Sequence, residues 1–218
     1  MARRRKASVT DEEKARTREA IVAAAHDQIA QDGYASASVI AVAQRAGVAT
    51  GSVYRYFPSK AELFVEVFRR AAGRELELIA EIVDRPGSVR ERLGAGVEAF
   101  ARRALAAPTL AWALMAEPVD PAVEAERLAA KRAYRDVFAA LLVEGAERGE
   151  LPPCDAPTVG SAIVGAMPEA LLGPLAEPHG GHDALVASLI SFVLNAVQAK
   201  ETGPWPSRRT HRTARTRS

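Results

Sequence analysis

Hydrophobic positions recur at three- and four-residue spacing along nearly the whole chain, and no stretch alternates as a half-buried strand would. Ile21, Ala25 and Ile29 fall at i, i+4 and i+8 in a segment from about Asp11 to Asp32, which predicts a first helix. Gly33 follows where a helix ends in a left-handed residue. Ser38, an N-cap residue type, opens a second helix whose buried stripe is Val39, Val42, Ala43 and Ala46, with Gly47 at its end. A third begins at Thr50 and stops before Pro58. Three short helices with a Gly-containing turn between the last two, within about 50 residues, outline a helix-turn-helix.

Beyond Pro58 the predicted helices lengthen. Ser59 caps one through Ala72 that can continue to Val83, with Gly73 as its weak point. Others span Ser88–Leu105, a short segment after Pro108, and a run through Glu147 opened by Asp120-Pro121, a cap followed by proline at N1. Asp155–Leu172 and Asp183–Lys200 complete the set, the former kinked by Pro168. The expected fold is all-α, divided into a flexible basic arm (1–13), a three-helix DNA-binding domain (14–60), a helical body (61–203) and a basic, disordered tail (204–218).

Composition narrows the function. Hydrophobic residues make up 48% of the 218 residues, enough for a proper core, and the single cysteine, Cys154, excludes an intramolecular disulfide framework. No secretory h-region follows the basic start and no 18-residue apolar run stands out, so the expected location is cytoplasmic. The net charge of +2 hides a segregation. Residues 1–70 hold 12 basic and 8 acidic residues, residues 71–205 hold 12 and 19, and residues 206–218 hold 5 and none. A basic head on an acidic body points to a polyanionic partner for the head.

The segment GVATGSVYRYFPSK, Gly47–Lys60, gives that partner a candidate surface. Thr50, Gly51 and Ser52 are small enough to let the start of a recognition helix approach DNA, and their amides stand at the positive end of the helix dipole. Val53 and Phe57, at i and i+4, take the core face, which leaves Tyr54, Arg55 and Lys60 to reach outward. A tyrosine ring can touch a thymine methyl while its hydroxyl meets a phosphate. The same residues would also suit a plain surface helix with half-buried aromatics.

This region resembles the N-terminal DNA-binding segment of the tetracycline-repressor (TetR) family of bacterial transcriptional regulators. The likeness rests on Ser38, Val42-Ala43, Ala46-Gly47-Val48, Tyr54-Arg55-Tyr56-Phe57, Lys60 and Leu63, and covers about residues 16–65. It implies that Ser38, Tyr56 and Lys60 hold phosphates, that Thr50, Gly51, Ser52 and Tyr54 face base edges, and that Arg55 does either. Two positions depart from the family pattern. Ala49 stands where a serine is common, and Ile40 stands where arginine is frequent. Ile40 lies off its helix's apolar stripe and so faces outward, either to meet a thymine methyl or as a neutral surface isoleucine. The arm Arg3-Arg4-Arg5-Lys6 can track phosphates or enter a minor groove.

The last two predicted helices are apolar nearly all round and need partners on two sides. The resemblance implies a homodimer joined through them, reading a two-fold, pseudo-palindromic operator. It also implies repression relieved by a small-molecule effector in the body. Phe64, Phe68, Phe100, Trp112, Met115, Tyr134, Phe138 and Met167 are candidates to line a mostly apolar pocket, with Glu169 as a carboxylate that needs a ligand, a partner or an exposed edge. His179 and His182 have i, i+3 spacing but no further ligands, so no metal or other cofactor is expected. No catalytic constellation is present, and an enzyme is not expected. The alternative is a ligand-independent nucleic-acid-binding module, which a solid body without a cavity would favour.

Overall fold

A computed structural model of the chain describes residues 10–176 and 181–198. The described residues form nine helices and no strand: α1 (Asp11–Ser36), α2 (Val39–Arg45), α3 (Thr50–Tyr56), α4 (Lys60–Val83), α5 (Val89–Ala106), α6 (Pro108–Met115), α7 (Pro121–Glu147), α8 (Ala156–Ala176) and α9 (Asp183–Ala196). Local chemistry sets most of the starts. Thr10 and Ser88 each form a reciprocal capping box, with Glu13 and Glu91, and the hydroxyls of Ser38 and Ser59 accept from the backbone N–H three residues on. Pro108 and Pro121 open α6 and α7, where a missing N–H costs nothing.

The prolines and glycines inside helices behave differently from one another. Gly33 takes φ 79°, ψ 172°, so α1 breaks there and resumes for one turn at Tyr34. Gly73 does not interrupt α4, which runs unbroken to Val83. Backbone helicity also continues through Pro168 and Pro174 in α8. That helix is long and apolar enough, by length and composition, to cross a membrane, which the sequence reading overlooked because glycine and alanine dilute its bulky residues.

Two hydrophobic cores result. The head core joins Ile21, Ala25 and Ile29 of α1 to Val42, Val53 and Phe57, and continues into Leu63, Phe64 and Val67 of α4 and Val123 of α7. A three-helix head this small buries little surface by itself, and its core extends into α4, α6 and α7 of the body. The body core packs Ile79, Val97, Phe138, Leu142, Ile163, Leu171, Val186 and Val193 from α4, α5, α7, α8 and α9. Helix α4 belongs to both, as do α6 through Ala111 and Ala113 and α7 through Phe138 and Val123.

Candidate DNA interface and ligand cavity

The head presents α3 at the surface. Val53 and Phe57 are buried, Tyr54 is 49% exposed, and Gly51 and Arg55 are exposed, as the i, i+4 pattern requires. Ala49, the N-cap of α3, offers no side-chain hydrogen bond, so the first amides of α3 are left for an external acceptor. Thr50, Ser52 and Tyr56 are half-buried. Ser38 accepts from the Ala41 N–H at 3.2 Å, keeping its hydroxyl hydrogen free to donate. Ile40 is 61% exposed, on the outer side of α2. The Lys60 ammonium lies 5.2 Å from the centroids of both the Tyr34 and Phe64 rings, held by cation–π attraction at the foot of the head. The arm residues Arg3–Lys6 lie outside the described residues.

Ion pairs fix the head on α4. Arg18 reaches Glu66 at 3.1 Å and also stacks over the Phe57 ring at 4.9 Å, while Arg70 bridges Glu66 at 2.8 Å and Glu19 at 2.5 Å. Hydrogen bonding from Arg18 holds the Glu66 carboxyl below its ordinary range, and Arg70 adds to the effect.

Below the head, α4 to α8, with His26 of α1, line a partly open cavity of about 380 Å³. Its walls are apolar: Phe68 and Ala71 from α4, Phe100 and Ala104 from α5, Leu110, Leu114 and Met115 from α6, Phe138 from α7, and Val164 and Met167 from α8. The polar groups are few. Arg103 pairs with Glu75 at 2.7 Å, and His26, Arg127, Lys131, Arg74 and Tyr134 complete the polar lining. Burial, with help from the Glu75 charge, pushes the Tyr134 hydroxyl well above its ordinary ionisation range, so it stays a neutral donor. Its ring meets Phe100 edge-on at 6.1 Å.

Six of the nine pocket candidates meet in this cavity: Phe68, Phe100, Met115, Tyr134, Phe138 and Met167. Three do not. Phe64 is buried in the head core against Tyr34, with ring centroids 5.1 Å apart. Trp112 packs on the body core from α6 without facing the cavity. Glu169 resolves its desolvation problem by standing on the exposed face of α8. Sequence reasoning missed Arg74, Glu75, Arg103, Arg127 and Lys131, because a charged residue in a helix reads as solvated surface. The spacing of Arg127, Lys131 and Tyr134 at i, i+4 and i+7 is the signal that could have placed them on one wall. His179 lies outside the described residues, which contain no cluster of three or more His, Cys, Asp or Glu able to hold a metal ion.

Comparison with known proteins decides the family. Residues 21–67 match the model of bacterial regulatory proteins of the tetR family, and residues 86–170 match the tetracyclin repressor-like C-terminal domain. The chain belongs to the TetR family. The fatty acid metabolism regulator protein of Bacillus subtilis is 26% identical over 133 residues, which cover 60% of this chain and 69% of that one. The transcriptional repressor KstR of Mycolicibacterium smegmatis is 51% identical over 53 residues, 24% of each chain. The fold matches that of the regulator FadR of Bacillus subtilis, solved in complex with stearoyl-CoA, with TM-score 0.70 and 23% identity over 83% of this chain and 97% of that one. This TetR-family chain is therefore a transcriptional regulator with a helix-turn-helix head, and not an enzyme.

Proposed function

We propose that the protein is a dimeric repressor that binds a pseudo-palindromic operator through α3 and releases it when the acyl chain of a fatty acyl-CoA fills the body cavity. The observation that carries this reading is the cavity itself. At about 380 Å³ it lies within the ~300–1,000 Å³ of small-molecule sites, and its walls are almost wholly apolar. Its charged lining is mainly cationic, Arg74, Arg103, Arg127 and Lys131 against Glu75, and Arg74 and Lys131 are exposed. An apolar chain with an anionic head satisfies both features. That a structural relative was solved with stearoyl-CoA supports the same class. The cavity also removes the main reason to prefer a ligand-independent DNA-binding module.

Dimerisation is proposed through α8 and α9. The outer face of α8 carries Ser161, Ala162, Gly165 and Gly173, that of α9 carries Ala184, Ala187, Ser188 and Ser191, and Phe192 beside them is 59% exposed. Small residues let two such helix pairs approach closely, and an exposed phenylalanine among them is well used by burial. DNA reading then rests on Ser38, Ile40, Thr50, Gly51, Ser52, Tyr54, Arg55, Tyr56 and Lys60, in a protein working in the cytoplasm.

The test is a titration of the operator complex with stearoyl-CoA, shorter acyl-CoAs and CoA alone, read by fluorescence anisotropy of labelled DNA flanking the protein's own gene. Release by long-chain acyl-CoA and not by CoA supports the reading. A complex indifferent to every acyl-CoA, with no binding to the free protein, rejects it.

A further inference from the structure

Arg127 is buried, with 8% of its surface exposed, and it lines the cavity from α7. Its guanidinium does not pair only with Glu124, at 2.6 Å. Nε donates to the Leu114 carbonyl at 2.9 Å, and Nη2 donates to the carbonyls of Glu117 at 2.9 Å and Ala113 at 3.3 Å. Two of these are end-of-helix carbonyls that α6 cannot satisfy internally, so a cation from α7 supplies the C-terminal cap of α6. In doing so it fixes where the chain goes next, and the next charged residue is Glu117.

Both carboxylate oxygens of Glu117 are used on the head. Oε2 accepts from the Tyr34 N–H and Oε1 from the Ala35 N–H, each at 2.8 Å. These amides lack α1 partners because Gly33 breaks the helix immediately before them. Glu117 thus caps the one-turn restart that leads to Ser38 and α2. A side chain at Gly33 would stand 3.3 Å from Glu117 Oε2, so the approach also depends on glycine there. Three residues after Glu117, the Asp120 carboxylate accepts from the Tyr34 hydroxyl. Burial and that hydrogen bond push Tyr34 up to about 12, which keeps the hydroxyl protonated. On its other side the Tyr34 ring carries Lys60, a proposed phosphate contact.

Cavity wall, Arg127, Glu117, Tyr34 and Lys60 are therefore joined by direct contacts. We propose that Arg127 and Glu117 form a latch: a ligand that wedges between Leu114 of α6 and Arg127 of α7 pulls the guanidinium off the α6 carbonyls, and Glu117 lets go of the Tyr34 and Ala35 amides. The ligand's identity rests on the acyl-CoA reading above; the latch does not. Helix α6 is the wall suited to move, since it is only eight residues long and its C-terminal end is held by Arg127. Once Glu117 is released, α1 loses its polar tie to the segment between α6 and α7 and keeps only apolar packing there, so the spacing between the two heads of a dimer is less firmly held.

Hydrogen exchange at the Tyr34 and Ala35 amides tests the latch without any ligand. In the full-length protein, Glu117→Ala is expected to speed their exchange about tenfold or more, while core amides of α7 and α8 exchange as before. Arg127→Gln, and Arg127→Lys as the variant that keeps the charge, are expected to accelerate the same two amides, although neither substitution touches them. Unchanged exchange in Arg127→Lys and Arg127→Gln would overturn the proposal. A second arm uses stearoyl-CoA as probe, measuring operator Kd with and without it. Glu117→Ala should cut the ratio of the two by about fivefold or more, the scale of a lost coupling energy, while stearoyl-CoA affinity does not fall, because Glu117 is not in the cavity and the ligand no longer works against the latch. A full ratio in Glu117→Ala also overturns the latch. If stearoyl-CoA leaves the wild-type operator complex untouched, the acyl-CoA reading fails and the exchange arm still decides the latch.

Discussion

Tyr54 is half exposed on α3 and supports nothing in either core, so its side chain is free to act on a partner. Tyr54→Ala is expected to weaken operator binding by the ~1–3 kcal/mol typical of a base-edge contact. The melting temperature should stay where it is, since surface changes of this kind fall within about 0.5 kcal/mol. Salt titration on fragments flanking the protein's own gene gives the check. Loss confined to one palindrome marks specific reading, whereas a uniform loss marks only electrostatics. Glu66 makes the contrasting case, a carboxylate spent on structure. Its folded pKa is depressed by Arg18 first and Arg70 next, so its stabilisation is present above the unfolded value and disappears as pH falls through the folded one. Glu66→Gln should therefore lose about 1–3 kcal/mol at pH 7 in chemical denaturation. The gap to wild type should begin to narrow below the unfolded carboxyl value of about 4.3 and close only as pH falls through the lower folded value.

Two helical glycines should respond to alanine with opposite signs. At Gly160, where α8 crosses α7, an added Cβ would stand 2.9 Å from the Arg135 carbonyl oxygen and 3.5 Å from the Ala139 Cβ. The obstacle is backbone, which cannot swing away, so Gly160→Ala should push the helices apart and cost about 1–3 kcal/mol. At Gly73 in α4 an added Cβ meets nothing within 4 Å. There Gly73→Ala should stabilise by about 0.5–1 kcal/mol, through helix propensity alone. Denaturation midpoints at constant m-value measure both, and equal signs would contradict the packing described for α7 and α8.

For the whole molecule, the exposed faces of α8 and α9 set the expected assembly. Phe192→Glu puts a charge at the centre of the proposed dimer face, and sedimentation should find a monomer that keeps its helicity. Operator affinity should fall by several orders of magnitude, because one head then binds one half-site without the other's help. A Phe192→Glu dimer of unchanged mass would remove α9 from the interface.

The sequence alone was enough for the elements and the head. Periodicity gave the helices, caps at Ser38 and Ser59 and the proline at 121 gave several starts, and the i, i+4 placement of Val53 and Phe57 decided which face of α3 stays outside. Those features are local, since a cap or a stripe is written within one or two turns. Gly73, the weak point of its helix, does not end it, and helicity continues across Pro168, inside the span expected for that helix. Only the tertiary structure decided what the body does. Whether Phe64 or Phe68 faces a void depends on how α4 is shared between two cores, and whether Arg127 is surface or capping group depends on where α6 ends. The contact of Glu117 with Tyr34 joins residues 83 positions apart in the sequence, and no local pattern encodes it.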